Sequence, residues 1–266
     1  MLRYKETEDI DARFSEVDRV VQAWRGRTAS INQSMRKEFL TRLRISLIHH
    51  DAALEGDVLS YSEIKAAIDP TIISDPSLIP AYDEIRRFNE ACDFAAELAS
   101  NKKKPFKFDT IKDIYAILAP DEKAKGLPYR KENPLHRLYY HDIATPEKIV
   151  PALKKLSDWL DEPGTKQLHT IERVTTLHAR FMGIFPWAKE SGRTARIVSN
   201  LLLQEGGYPL AVIHSIDRQR YYESLKGEPS LLLSLYLEAV QNTAENELRL
   251  YEEAEKAPPR KRKKSA

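Results

Sequence analysis

Two runs of helical periodicity, Leu168 to Phe185 and Arg193 to Leu203, are joined by a short segment that holds Pro186 and Gly192. The stretch therefore reads as helix, loop, helix, and Gly206-Gly207 stops the second helix. The loop ends in Ser191-Gly192-Arg193, with Arg196 three residues further on. A glycine loop running into a helix start points backbone N–H groups outward, and arginines at i and i+3 share one helix face, so this end can hold an anion. Where a catalyst would stand, the loop instead carries Phe185 and Lys189. The pattern offers a binding site more clearly than a reaction.

Only 9 glycines and 15 prolines among 266 residues, with 42% hydrophobic and 31% charged, suit a helical globule better than a sheet-rich one. A net charge of +2 from 42 basic and 40 acidic residues gives no overall pull toward nucleic acid or a membrane surface, so any such pull must be local. The single cysteine, Cys92, excludes an internal disulfide and a cysteine-built metal site, and its helix places it in the core. No window approaches 18 uninterrupted apolar residues, and MLRYKETEDIDARF lacks the apolar stretch of a signal peptide. A cytoplasmic protein is expected.

A helical stripe runs through Phe39, Leu43, Leu47 and Leu54 and stops at Gly56. Ser60 with Glu63 three residues on predicts a capping box for the next helix. Further helices are predicted over Ala81 to Leu98, Thr110 to Leu118, Pro146 to Asp161, Arg218 to Leu225 and Ser230 to Glu255. Between them, Leu127 to Asp142 is rich in aromatic and β-favouring residues, and predicts a small hairpin or extended flap. Pro163-Gly164 reads as a stop. The expected division is an N-terminal helical lobe over residues 1–104, a core over 105–256, and a basic tail over 257–266. That tail, with Arg260 to Lys264 in succession, has nothing to bury and reads as disordered; it is the one place where nucleic acid could be engaged.

The stretch LHARFMGIFPWAKESGRTARIVSNLLLQEGGYP resembles the core of Fic (Fido) domain proteins, whose pattern runs H-P-F-x-[D/E]-G-N-G-R-x-x-R before a leucine-rich helix and G-Y-P. Upstream, DAALEG resembles the family's inhibitory helix, [S/T]-x-x-x-E-[G/N], and downstream RQRYYESL resembles its R-x-x-Y-Y-x-x-L helix. The resemblance spans roughly residues 45 to 240. It implies an all-α fold, a Fic-type helical bundle with a small β-hairpin flap and an N-terminal helical lobe. Family members typically transfer AMP from ATP to a hydroxyl of a target protein, which the flap, here residues 127–142, docks.

This chain departs from the pattern at the chemistry. Phe185 stands at the position of the family's histidine base and cannot accept a proton. Lys189 replaces the acidic residue that holds Mg²⁺, which argues against metal use, although its charge could neutralise phosphate. Glu190 replaces the first loop glycine and Ser191 the asparagine. A side chain at that glycine position restricts positive φ. Gly192, Arg193 and Arg196 are retained, so the resemblance implies phosphate binding by Lys189, Ser191, Gly192, Arg193 and Arg196. It also implies that Glu55 pairs with Arg196 across 141 residues as an inhibitory contact, with Asp51 standing where the family has Ser or Thr.

No substitute base is evident. His178 is two turns before Phe185 on the same helix, roughly 10 Å away by helical rise, and reads as structural. His136 and His141, in the flap segment beside Tyr139 and Tyr140, are the movable candidates. Adjacent His49 and His50 project about 100° apart and form no i, i+4 metal pair, so no metal site is expected. Trp187 is expected to pack below the loop. The functional expectation is a divergent Fic-fold protein that binds ATP, another nucleotide or a different phosphorylated small molecule. Its usual histidine-dependent AMPylation is absent, and any activity is a nonstandard nucleotidyl or phosphoryl transfer to a protein hydroxyl. The alternative is a pseudoenzyme acting as a ligand sensor or protein-interaction module.

Overall fold

Short polar punctuation divides this chain into helices, and the punctuation residues do their work through specific backbone geometry. The computed structural model describes residues 10–69, 79–134, 141–227 and 229–256. Helix α1 (Ile10–Ser30) precedes α2 (Gln33–Glu55), whose end is fixed by Gly56 in the left-handed region at φ 107, donating to Ala52 O and Ala53 O. Asp57 N also reaches back to Ala52 O at 2.9 Å, which satisfies carbonyls that the last turn would otherwise leave open. The predicted capping box begins α3 (Tyr61–Ile68): Glu63 N donates to Ser60 Oγ at 3.2 Å, and Ser60 N donates to Glu63 Oε2 at 2.7 Å.

Helices α4 (Ile79–Ser100), α5 (Thr110–Leu118) and α6 (Pro120–Ala124) follow. A single 3-10 turn leads into α7 (Ile149–Asp161), whose Ile149, Leu153, Leu156 and Trp159 form the buried stripe. The stop expected at Pro163-Gly164 forms: α7 ends at Asp161 and Glu162 is extended. Pro163 then opens a short α8 (Pro163–Gln167), where a missing N–H costs nothing. The central pair is α9 (Thr170–Ile184) and α10 (Ser191–Glu205), and α11 (Arg218–Lys226) and the long α12 (Pro229–Lys256) complete the set.

Helix α10 sits at the centre. Twelve of its residues, from Ser191 to Leu203, are buried. Helices α9, α4 and α5 pack against it, while α1 lies along α12. The apolar cluster runs from Val17 in α1 through Leu54, Ile85, Ile114, Leu177 and Leu201 to Val240 in α12. This all-round burial explains why Ser199 and Asn200 on α10 are bonded inward, Ser199 to His178 and Asn200 to the Ala211 backbone at both its amide ends.

One expected element is not seen among the described residues. No strand occurs among the described residues, and Leu127 to Pro134 and His141 to Thr145 are irregular; residues 135–140 of the predicted flap lie outside the described residues. The two flanks bond the end of α9 instead of each other. Arg130 N donates to Pro186 O at 3.0 Å, and Ala144 N donates to Gly183 O at 2.7 Å. Backbone groups committed to the neighbouring helix end cannot also form a hairpin ladder. No helix among the described residues is long and apolar enough to cross a membrane. The basic tail, residues 257–266, lies outside the described residues.

Candidate active site

The loop between α9 and α10 is held by its own backbone and by one buried arginine. Phe185 caps α9 in the left-handed region at φ 47, ψ 65, and its N–H still bonds Phe181 O at 2.8 Å. A β-carbon is disfavoured in that conformation, so the surroundings must fix it. Arg130 does so, donating Nε to Phe185 O at 2.6 Å and Nη2 to Ile184 O at 3.2 Å and to Ala144 O, while Nη1 donates to Glu132 O and Asn133 Oδ1. Burial lowers the Arg130 pKa, yet five acceptors surround the guanidinium.

Further along, Trp187 is buried and stacks on Tyr115 with ring centroids 3.8 Å apart and planes within 8°. Ser191 Oγ donates to Trp187 O at 2.8 Å and accepts from Trp187 N at 3.0 Å. The Ser191 hydroxyl, expected as a phosphate ligand, is thus used to close the loop. Glu190 precedes α10 at φ 61, ψ 0, the conformation that the glycine it replaces would adopt freely, and its carbonyl accepts from Thr194 N at 2.8 Å. The loop keeps its shape although the residue best suited to it is gone.

At the start of α10 the two arginines meet the end of α2. Arg196 Nε donates to Asp51 Oδ1 at 2.5 Å and its Nη2 to Glu55 Oε1 at 2.8 Å. The contact expected between Glu55 and Arg196 across 141 residues is present. Arg193 Nε donates to Asp51 Oδ2 at 3.2 Å, Nη2 to Asp57 Oδ2 at 3.1 Å and Nη1 to Glu190 Oε1 at 3.2 Å, with Glu84 Oε2 3.9 Å away. A β-carbon on Gly192 would lie 2.6 Å from Glu55 Oε1, so that carboxylate rests directly on the first turn of α10. An anion already occupies the anion end, and it belongs to the protein.

The charges decide the present state of this site. Five carboxylates, Asp51, Glu55, Asp57, Glu84 and Glu190, stand within 4 Å of two guanidiniums. Burial pulls Arg193 down, but Asp51, Glu190 and Glu55 outweigh it and hold the guanidinium above its ordinary range; Arg196 is raised further, against its own burial, by Asp51, Glu55 and Tyr221. Burial raises the Glu190 carboxyl, helped by Glu55 and Asp51 and opposed by Arg193. A cavity of about 220 Å³ lies beside Arg193 under Val58 and Leu59, with Asp51, Asp57 and Glu84 in its wall. Free anions are repelled there unless a carboxylate leaves.

The remaining expected residues are dispersed. Lys189 is exposed and forms no ion pair among the described residues, with Glu190 or otherwise. A lysine ammonium cannot ligate Mg²⁺, so the position that holds the metal in the resembling pattern does not fit one here. Phe185 is 1% exposed. His141, expected as a movable flap donor, is buried under the loop: its Nε2 donates to Met182 O at 2.9 Å, and its ring lies edge-on to Phe185 at 6.3 Å. The reason is the docking of the flap flank on α9, which carries His141 into the core. His136 lies outside the described residues. His178 is buried between Ser199, Tyr221 and Tyr236, and burial followed by the Arg196 charge pushes its pKa down to about 3. That histidine is structural.

Sequence reasoning missed Asp51 as a ligand of the arginines, although Asp51 and Glu55 at i, i+4 share a helix face and so could have been paired. It also missed Arg130, for which no local pattern exists. A model of the Fic/DOC family matches residues 105–203. The chain is 26% identical over 179 residues to a protein adenylyltransferase Fic of Nematostella vectensis, covering 67% of this chain and 42% of that protein. It is 24% identical over 213 residues to one of Aedes aegypti, covering 78% and 41%. The chain thus spans about two-fifths of the length of these relatives. Among solved structures, a Fic domain containing signaling protein from Bacteroides thetaiotaomicron superposes with a TM-score of 0.74 at 17% identity, over 91% of this chain and 97% of that one. Fic-1 from Caenorhabditis elegans gives 0.74 at 19% identity, over 90% and 71%.

Proposed function

We propose that the chain, which a Fic/DOC family model matches over residues 105–203, is a member of that family, binds the polyphosphate of a nucleotide at the start of α10 and rests in a self-plugged state. One observation carries this reading: Glu55 sits where an anion would, on the turn at Gly192 and against Arg196. The residues fit a phosphate group. Gly192 leaves the helix start open to close approach, Arg193 and Arg196 flank it, and Arg196 Nη1 is buried without a partner among the described residues. ATP is the ligand that the family relatives suggest, since those proteins are adenylyltransferases.

The chemistry expected of the relatives is not supported by the residue at its centre. Phe185 fills the base position at 1% exposure, and His141 is held below it by Met182 O. We therefore read the chain as a nucleotide-responsive member of the family without histidine-dependent AMP transfer. A second reading rests on Glu190, a loop carboxylate beside Arg193 whose pKa is raised by burial. As base it would take the proton of a target hydroxyl while that oxygen bonds to the α-phosphorus and pyrophosphate leaves.

Two measurements test these readings. ATP should raise the melting temperature of Glu55→Ala, and Arg196→Ala in that background should remove the shift; a shift unchanged by Arg196→Ala would show the pocket misassigned. Purified protein with ATP labelled at the α-phosphate and cell lysate should transfer no label. Label transferred by Glu55→Ala and lost in Glu55→Ala/Glu190→Gln would replace the first reading with the second.

A further inference from the structure

Asp51 and Glu55 lie one turn apart on α2 and touch the same arginine, each at a different nitrogen. Asp51 is the more deeply buried, with 4% of its side chain exposed against 16% for Glu55. Its two oxygens receive Nε of both guanidiniums, Oδ1 from Arg196 at 2.5 Å and Oδ2 from Arg193 at 3.2 Å. Glu55 instead takes Arg196 Nη2, at the outer end of the fork, and lies over Gly192. The remaining nitrogen, Arg196 Nη1, lies 3.1 Å from the position that a Gly192 β-carbon would take. One carboxylate holds both arginines at Nε, and the other takes Nη2 of Arg196 alone.

A guanidinium is planar, so fixing its Nε edge also fixes the direction of both Nη groups. We propose that Asp51 is a positioning residue for a ligand with two adjacent phosphates: by holding Nε of Arg193 and Arg196 at once, it sets their Nη groups to take neighbouring phosphoryl groups when Glu55 withdraws from Arg196 and the ligand displaces Glu190 and Asp57 from Arg193. This rests on the phosphate reading above and adds a role for a residue that the reading does not use. It also reverses a simple electrostatic expectation. Asp51 is negative and close to the ligand, so on charge alone its removal should strengthen anion binding. As the part that aligns two forks, it should weaken binding when removed, and only for ligands that span both arginines.

The sign of that effect is measurable in the full chain. In the Glu55→Ala background, adding Asp51→Ala should weaken pyrophosphate binding about tenfold by titration calorimetry. Orthophosphate, which engages a single phosphate position, should change by less than about twofold by phosphorus NMR. Tighter pyrophosphate binding would make Asp51 a second plug and overturn the proposal. Equal weakening of both ligands would reduce Asp51 to a structural part, which overturns it as well. Absence of pyrophosphate binding in Glu55→Ala itself would remove the phosphate reading and this proposal together, whereas the first two outcomes leave that reading intact. Circular dichroism checks each variant for folding. If Asp51→Ala does not fold, Asp51→Asn keeps one acceptor oxygen and should show the same preference for losing pyrophosphate, by a smaller factor.

Discussion

Glu55 Oε1 accepts a hydrogen bond from Arg196 Nη2 at 2.8 Å, closing a contact over 141 residues of chain at the start of α10. Removing the carboxylate should act in two directions. Glu55→Ala should lower the stability of the ligand-free protein by about 1–3 kcal/mol, because Arg196 loses a buried partner. In the presence of ATP the same variant should gain more stability than the wild type does, and differential scanning calorimetry with and without ATP reads both effects. Loss of stability without any greater response to ATP would leave Glu55 a structural ion pair.

Gly192 gives an independent check on where that carboxylate rests. A β-carbon there would stand 2.6 Å from Glu55 Oε1, so Gly192→Ala should cost about 1–3 kcal/mol in the wild type. In the Glu55→Ala background only Arg196 Nη1, the end of a long side chain 3.1 Å from that position, must give way, and alanine is the better helix former, so the cost should shrink. Additive melting temperatures across this cycle would contradict the contact.

Arg130 ties the segment before α7 to the turn at Phe185 through five acceptors. Arg130→Met keeps the stem but leaves buried carbonyls without donors. It should cost about 3 kcal/mol, roughly 6–12 °C of melting temperature in a chain of this size. Hydrogen exchange should rise at Ala144 and Arg130, whose amides bond Gly183 O and Pro186 O in this joint. Unchanged protection there would show that the backbone bonds hold without the side chain.

Acid should weaken the fold before any carboxylate pair is titrated away. Burial, His214 and His49 push His50 down from 6.5 to about 4, and burial with Arg196 pushes His178 down to about 3. Between about 4 and about 6.5 the unfolded chain binds these protons and the folded one does not, so stability falls as pH is lowered through that window. Glu190, raised by burial, works the other way, since its folded form takes up a proton at a pH where the unfolded glutamate is still charged. Thermal melts from pH 7 to pH 4.5 should show a net loss, and His50→Asn should make the loss shallower. A profile unaltered by that substitution would remove His50 from this account.

Periodicity made the helices legible because a buried stripe writes itself into the order of residues. The Ser60–Glu63 box and the Gly56 stop formed as their local chemistry requires, while the α7 stripe expected at Ile149, Leu153, Leu156 and Leu160 closes on Trp159 in place of Leu160. Helix α1 had no such sign. Its buried residues are few, Val17, Val20, Val21 and Thr28, and what holds it is α12 beside it. The flap misread has the same origin. Aromatic and β-favouring residues mark a segment fit for a sheet, but Arg130 N and Ala144 N bond Pro186 O and Gly183 O, in the loop after α9 and at its last turn. Pro163 shows how one residue reads two ways, as a stop and as the first residue of α8.

At the site the division falls between partners close in sequence and partners brought together by folding. From its sequence alone the chain specified a glycine–arginine helix start, a phenylalanine where a base would stand, and a glutamate placed to meet Arg196. The tertiary structure decided what those groups do to one another. It placed Asp51 behind both guanidiniums, turned the Ser191 hydroxyl into the loop and carried His141 beneath it. Local pattern records the type and spacing of residues along a helix, but hydrogen bonds and charge pairs depend on distances of a few ångströms. Those distances are set where α2 crosses α10, by packing that no single stretch of the chain contains.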